Sequence, residues 1–79
     1  MRIKKLRKAI DHLDKKIVQL LAKRMKLASK IMQYKQQQKI PLRDFKREQH
    51  ILKKQKELAK KLKISSTLVE HIFKRIFKN

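Results

Sequence analysis

Three cations occupy positions that a helical period reserves for apolar side chains. In steps of three and four, one line of the N-terminal half reads Arg7, Ile10, Asp14, Ile17, Leu21, Arg24, Ala28, Ile31, Lys35. A cation moved out of water without a partner is costly, so a cation on an inward line either meets an anion or reaches back to solvent. Arg24 is mid-segment and has the least freedom to reach out. Arg7 and Lys35 lie near the ends, and either reading fits them. Further on, RDFKREQH (43–50) places Asp44 and Glu48, two of only six acids, within one helical turn. Asp44 suits a helix N-cap. Glu48, in the series Glu48, Ile51, Gln55, borders the apolar face; it suits an ion pair with Arg47, Arg24 or Arg43 equally well as a hydrogen bond from a ligand hydroxyl. The chemistry these residues offer is the capture of a small anion.

Other chemistries find no residues to carry them. His12, His50 and His71 have no metal-ligand spacing, so they read as surface imidazoles and no metal site is expected. The chain has no cysteine, which removes disulfides and thiolate ligands, and no glycine, which removes a Gly-rich phosphate loop. No Ser/His/Asp or Cys/His pattern is present. No cofactor is expected.

The elements that position these residues follow from periodicity. With no glycine and one proline, tight turns are scarce, and the mixture of Lys, Leu, Ile and Gln predicts an all-α fold. A long first helix is expected from about Ile3 to about Gln38, with its seam at Ile3, Leu6, Ile10, Leu13, Ile17, Leu20, Leu27, Ile31 and Tyr34, broken only by Arg24. Pro41 disfavours helix at Ile40 and marks a loop through Asp44. A second helix runs from about Phe45 to Leu62, with Ile51, Leu52, Leu58, Ala59 and Leu62 inward. A third helix, capped by Ser66 or Thr67 with Thr67 and Glu70 as a capping box, presents Val69, Ile72, Phe73, Ile76 and Phe77 and continues to the end of the chain.

Thirty-six helical residues span roughly 54 Å, whereas a compact chain of this size has a radius of gyration of about 12 Å. The first helix therefore needs a second surface for its stripe, and an interlocked homodimer supplies it most simply. Spacing adds a constraint. Arg24 and Lys35 are roughly 16 Å apart along the axis, within reach of one small ligand, but Arg7 lies roughly 25 Å from Arg24. Arg7 joins the same site only if a second, antiparallel chain brings it. Residues 1–79 are read as a single domain.

The formal charge is +19, from 25 Lys and Arg against 6 Asp and Glu. Such a balance suits nucleic acid, small anions drawn in by long-range steering, or simply a solvated surface. The lysines are spread over nearly every non-core position, without aromatic interleaving or a long basic block, so nucleic acid is the least favoured partner. No apolar run exceeds four residues, so no membrane span is expected. The N-terminus has no signal-peptide core, and Asp11 and Asp14 oppose a transit peptide. Cytoplasmic location is the default.

The pattern LRKAIDHLDKKIVQLLAKRMKLASKI, followed by KIPLRDFKRE, resembles the all-helical chorismate mutase family. It is carried by the L-R-x-x-I-D-x-L-D start, the L-x-x-R-x-x-L-A core, a lysine before the loop and P-x-x-D-x-x-R-E after it. The resemblance covers residues 6–77 and implies a three-helix chain, one long and two shorter helices, interlocked as a homodimer with two active sites. It implies rearrangement of chorismate to prephenate in phenylalanine and tyrosine biosynthesis. By position, Arg7 resembles the arginine lent by the partner chain and Arg24 the carboxylate-binding arginine of the same site. Lys35 resembles the lysine at the ether oxygen. Asp44 and Glu48 resemble the pair near the ring hydroxyl, with Arg47 the supporting arginine between them. The implied catalytic pair is Arg24 and Lys35, with chorismate or prephenate bound by Arg7, Arg24, Lys35, Asp44, Arg47 and Glu48. The family's third helix usually brings a Ser and then a Gln or Glu from beyond the position of Asn79, so a weakened or impaired mutase is one expectation. Isochorismate–pyruvate lyase, which shares the fold and the cationic pocket, and a basic helical dimer on nucleic acid are the alternatives.

Overall fold

The computed structural model describes residues 2–78, and among them it is all-α with three helices and no strand. They are α1 (Arg2–Gln37), α2 (Phe45–Lys61) and α3 (Ser66–Phe77). The chain divides into two compact units, 1–42 and 43–79. Among the described residues no helix is long and apolar enough to cross a membrane.

The first unit is α1 and the turn that ends it. None of its 36 helical residues is buried. The expected seam is present and lies open: Ile3, Leu6, Ile10, Leu13, Ile17, Leu20, Leu27, Ile31 and Tyr34 are all exposed. The helix ends one residue before the expected Gln38, in a Schellman motif. The Ile40 N–H donates to the Lys35 carbonyl at 2.9 Å and the Lys39 N–H to that of Gln36 at 3.3 Å. Lys39 takes the left-handed position, φ 55°.

The second unit is an αα-hairpin. Asp44 caps α2 with φ −116°, ψ 94°, its carboxylate accepting from the Arg47 N–H. The core is small: Leu52 at 7 % and Ala59 at 2 % exposure are the buried residues of α2. Ile51 lies half-buried beside them, as do Val69, Phe73, Ile76 and Phe77 on α3. The Phe73 and Phe77 rings are tilted at 55° with centroids 6.3 Å apart, a favoured aromatic arrangement. Leu58, Leu62 and Ile72, expected inward, are exposed. The reason is the narrowness of the contact: α3 covers the Leu52–Ala59 side of α2, and the row through Leu58 and Leu62 lies further round the helix.

Two expectations about helix ends are corrected. The turn after α2 is tight although it contains no glycine, because Lys63 adopts φ 59°. The Ile64 N–H then donates to the Ala59 carbonyl at 3.0 Å and the Lys63 N–H to that of Lys60 at 3.2 Å, a second Schellman motif. This turn delivers Ser65, not Ser66 or Thr67, in extended geometry to cap α3, and its hydroxyl accepts from the Leu68 N–H at 3.1 Å. Thr67 and Glu70 form no capping box, since Glu70 is engaged by two lysines. At its other end α3 stops at Phe77 with Lys78 as cap, and Asn79 lies outside the described residues.

Candidate functional site

The site residues fall in both units. In the first, α1 runs unbroken through all three cations. Three of its described residues are half-buried, Leu21, Arg24 and Lys35; every other one is exposed. Two of the three are the candidate cations, while aliphatic neighbours stand open. At about 100° per residue, 11 residues bring Lys35 to within about 20° of the Arg24 direction, whereas Arg7, 17 residues away, points about 100° round the helix. Arg24 and Lys35 thus share a face. The expectation that Arg7 lies on the same line is corrected: each seven-residue step falls about 20° short of two turns, and over 17 residues the line drifts off that face. Lys35 also lies in the last turn of α1, where a cation complements the helix dipole.

In the second unit the acids at the head of α2 have separate tasks. The Asp44 Oδ1 accepts from the Arg47 N–H at 3.0 Å. Glu48 is gripped by Arg43: Nε donates to Oε2 at 3.0 Å and Nη2 to Oε1 at 3.1 Å. The Glu48 side chain is 17 % exposed and that of Arg43 53 %. The Arg43 guanidinium stands 4.6 Å from the centroid of the Phe45 ring, a cation–π contact. Its pKa is raised above the ordinary value, chiefly by the hydrogen bond to Glu48, which outweighs the opposing effect of desolvation, with the carboxylate charge adding a smaller rise. Of the three arginines that could have paired with Glu48, the structure places Arg43 in a two-pronged fork on it, and the Arg47 backbone on Asp44. Arg43 is the residue that sequence reasoning left out of the site. An i to i+5 spacing across an N-cap belongs to no in-helix pattern, although the hydrophobic staple spans the same two positions.

A second polar cluster joins α2 to α3. Lys56 Nζ meets Glu70 Oε1 at 2.8 Å, tying α2 to α3, and Lys74 Nζ meets Oε2 at 2.9 Å. The Lys56 hydrogen bond first, then that of Lys74, then their charges lower the Glu70 carboxyl to about 2. The groove beside it, about 350 Å³, is lined by Gln49, Lys53, Lys56, Lys60 and Lys74 among others and contains none of the candidate site residues. His12, His50 and His71 are exposed, as expected of surface imidazoles.

A family model described as chorismate mutase type II matches residues 6–79. The chain belongs to the chorismate mutase type II family. Among curated relatives it is 40 % identical over 70 residues to the bifunctional chorismate mutase/prephenate dehydratase of Buchnera aphidicola (subsp. Schizaphis graminum), an alignment covering 89 % of this chain and 18 % of that protein. It is 36 % identical over 76 residues to the T-protein of Haemophilus influenzae, covering 96 % and 20 %. It is 35 % identical over 78 residues to the chorismate mutase of Methanocaldococcus jannaschii, covering 89 % of this chain and 79 % of that one. The chain thus spans about one fifth of the length of the first two relatives and most of the third. No solved structure matches it significantly. The chain carries a mid-helix arginine and a lysine eleven residues on in α1, and after the proline loop a carboxylate that caps α2 and another within its first turn.

Proposed function

We propose that this chain rearranges chorismate to prephenate, a step toward phenylalanine and tyrosine, as a single-domain, interlocked homodimer. The observation that carries the reading is the family match over residues 6–79 together with two half-buried cations, Arg24 and Lys35, on one face of α1. The rearrangement breaks a carbon–oxygen bond as a carbon–carbon bond forms and needs no nucleophile, metal or proton transfer. It needs the substrate held in its reactive conformation and positive charge beside the ether oxygen, where negative charge develops. In this reading Arg24 takes a substrate carboxylate and Lys35 donates to the ether oxygen. Arg7 arrives from the partner chain, consistent with its different direction on α1. Glu48 accepts from the ring hydroxyl, and Asp44 and Arg47 hold the head of α2. A formal charge of +19 draws a dianion toward the surface.

The test is the loss of chorismate absorbance with the parent chain and with Arg24→Ala. Turnover is expected in the parent, with kcat/KM about 100- to 1,000-fold lower in the variant, as for the loss of one preorganised donor. A variant as active as the parent removes Arg24 from the site. A folded parent that leaves chorismate unchanged removes the activity altogether.

A further inference from the structure

Arg43 stands immediately before the cap of α2, and Glu48 is the fourth residue of the helix, so their side chains span the positions a hydrophobic staple would occupy. Here the staple is ionic and two-pronged. Both prongs are near ideal length, 3.0 and 3.1 Å, and each ends on a different carboxylate oxygen. A carboxylate has about four lone-pair sites, two on each oxygen. The fork occupies one on each and leaves one on each for another donor. It also fixes the plane of the carboxylate, which a single point contact would leave free to rotate. The Phe45 ring under the guanidinium, 4.6 Å away, restrains the arginine in turn. Phe45 is otherwise an exposed phenyl ring at the head of a helix.

We propose that Arg43 is a positioning residue of the candidate site. It sets the orientation of the Glu48 carboxylate, so that the free lone pairs face the hydroxyl of a bound hydroxylated dicarboxylate. This rests on the chorismate reading of the site, in which Glu48 meets the ring hydroxyl. Arg43 acts through Glu48 and does not itself touch the substrate. Arginine suits the task where lysine does not, because only a planar fork defines a carboxylate plane. A purely structural staple would do something different: it would fix the entry of the chain into α2 and contribute to stability alone.

The experiment is a double-mutant cycle on the full chain, with Arg43→Gln, Arg43→Lys, Glu48→Gln and the double variant Arg43→Gln/Glu48→Gln. Chorismate turnover is followed, and unfolding midpoints are measured in parallel. Misplacement of a reacting group by about 1 Å can cost about 100-fold, so kcat is expected to fall about 10- to 100-fold in Arg43→Gln, with KM changed far less. Arg43→Lys keeps the charge but loses the fork, and is expected to recover less than half of the parental kcat. In the Glu48→Gln background, removing Arg43 is expected to have almost no further effect. Parental kcat in either Arg43 variant overturns the proposal. So does an equal loss with and without Glu48, or a loss that tracks the unfolding midpoint. An inactive parent overturns the chorismate reading and this inference with it, whereas an active parent with additive losses overturns this inference alone.

Discussion

The two units of this chain treat their apolar residues in opposite ways. Unit 1 is a helix of 36 residues that buries none of them and leaves a stripe of nine large side chains open from Ile3 to Tyr34. Unit 2 folds 17 and 12 helical residues back on each other and closes a small core around Leu52 and Ala59. A long, open apolar stripe marks a surface made for another surface. The hairpin meets part of that need internally, through packing, two caps and a cross-helix ion pair. The long helix ends in a C-terminal turn and buries none of its side chains. The apolar surface left open is concentrated in α1, the same helix that carries the three candidate cations.

The comparison breaks most sharply at Ile17, midway along the open stripe and 55 % exposed. If the stripe is the dimer seam, burying an isoleucine there contributes roughly 1.5–3 kcal/mol per chain, and about twice that per symmetric dimer. Ile17→Asp removes this and places a charge in the seam. The expected outcome is dissociation at micromolar concentration in sedimentation, with loss of helical circular dichroism, mainly from α1. A variant that stays dimeric and helical would show that the stripe is not the interface, and Arg7 would lose its route into the partner's site.

Much of this architecture was legible in the residue pattern. The bounds of α1 and α2 fall within a residue of expectation because the 3.6-residue period and Pro41 mark them. Asp44 as cap was legible too, since an acid directly before an amphipathic run has few other uses. What escaped was set by backbone conformation or by contacts across an element's end. Ser65 was passed over because the Thr67–Glu70 spacing imitates a capping box. Lys63 alone decides the matter, by turning left-handed two residues earlier. Arg43 was one of three arginines offered for Glu48 and was not singled out, because a residue outside the helix has no fixed angle to one inside it. The exposure of Leu58 and Leu62 escaped because a period tells which residues share a face, not how much of that face a neighbour of 12 residues can cover. The alignment of Arg24 with Lys35 was implicit in their spacing, and their partial burial adds the physical reason to single them out.

The two helix ends offer a milder test, one in each unit. Lys39 and Lys63 hold left-handed conformations that cost a residue with a Cβ about 1–2 kcal/mol, and glycine removes that cost. Glycine also makes the unfolded chain more flexible, which offsets about 0.4–1 kcal/mol of the gain. Lys39→Gly and Lys63→Gly are therefore each expected to stabilise by about 0.5–1 kcal/mol, seen as higher urea midpoints with an unchanged slope. The gains should add in the double variant, since the two ends share no hydrogen bond. A lower midpoint in either variant would show that the lysine side chain contributes more than its backbone costs.

The smallest effect belongs to Glu70, whose brace between α2 and α3 lies at the surface and is screened by salt. Its carboxyl titrates at about 2 when folded, against a usual 4.5, because Lys56 and Lys74 both hydrogen-bond the ionised form. A folded value below the unfolded one means that folding favours the charged carboxylate. The contribution is thus complete above about pH 4.5 and is lost as the pH falls from there toward 2. Glu70→Gln removes the titration and both ion pairs together. Urea midpoints of parent and variant should differ most at about pH 6, converge through about pH 3, and lie closer at every pH in high salt. Because the brace joins two helices of the same unit, its loss should loosen the hairpin. A difference that stays constant across that window would mean that Glu70 braces the hairpin by packing rather than by charge.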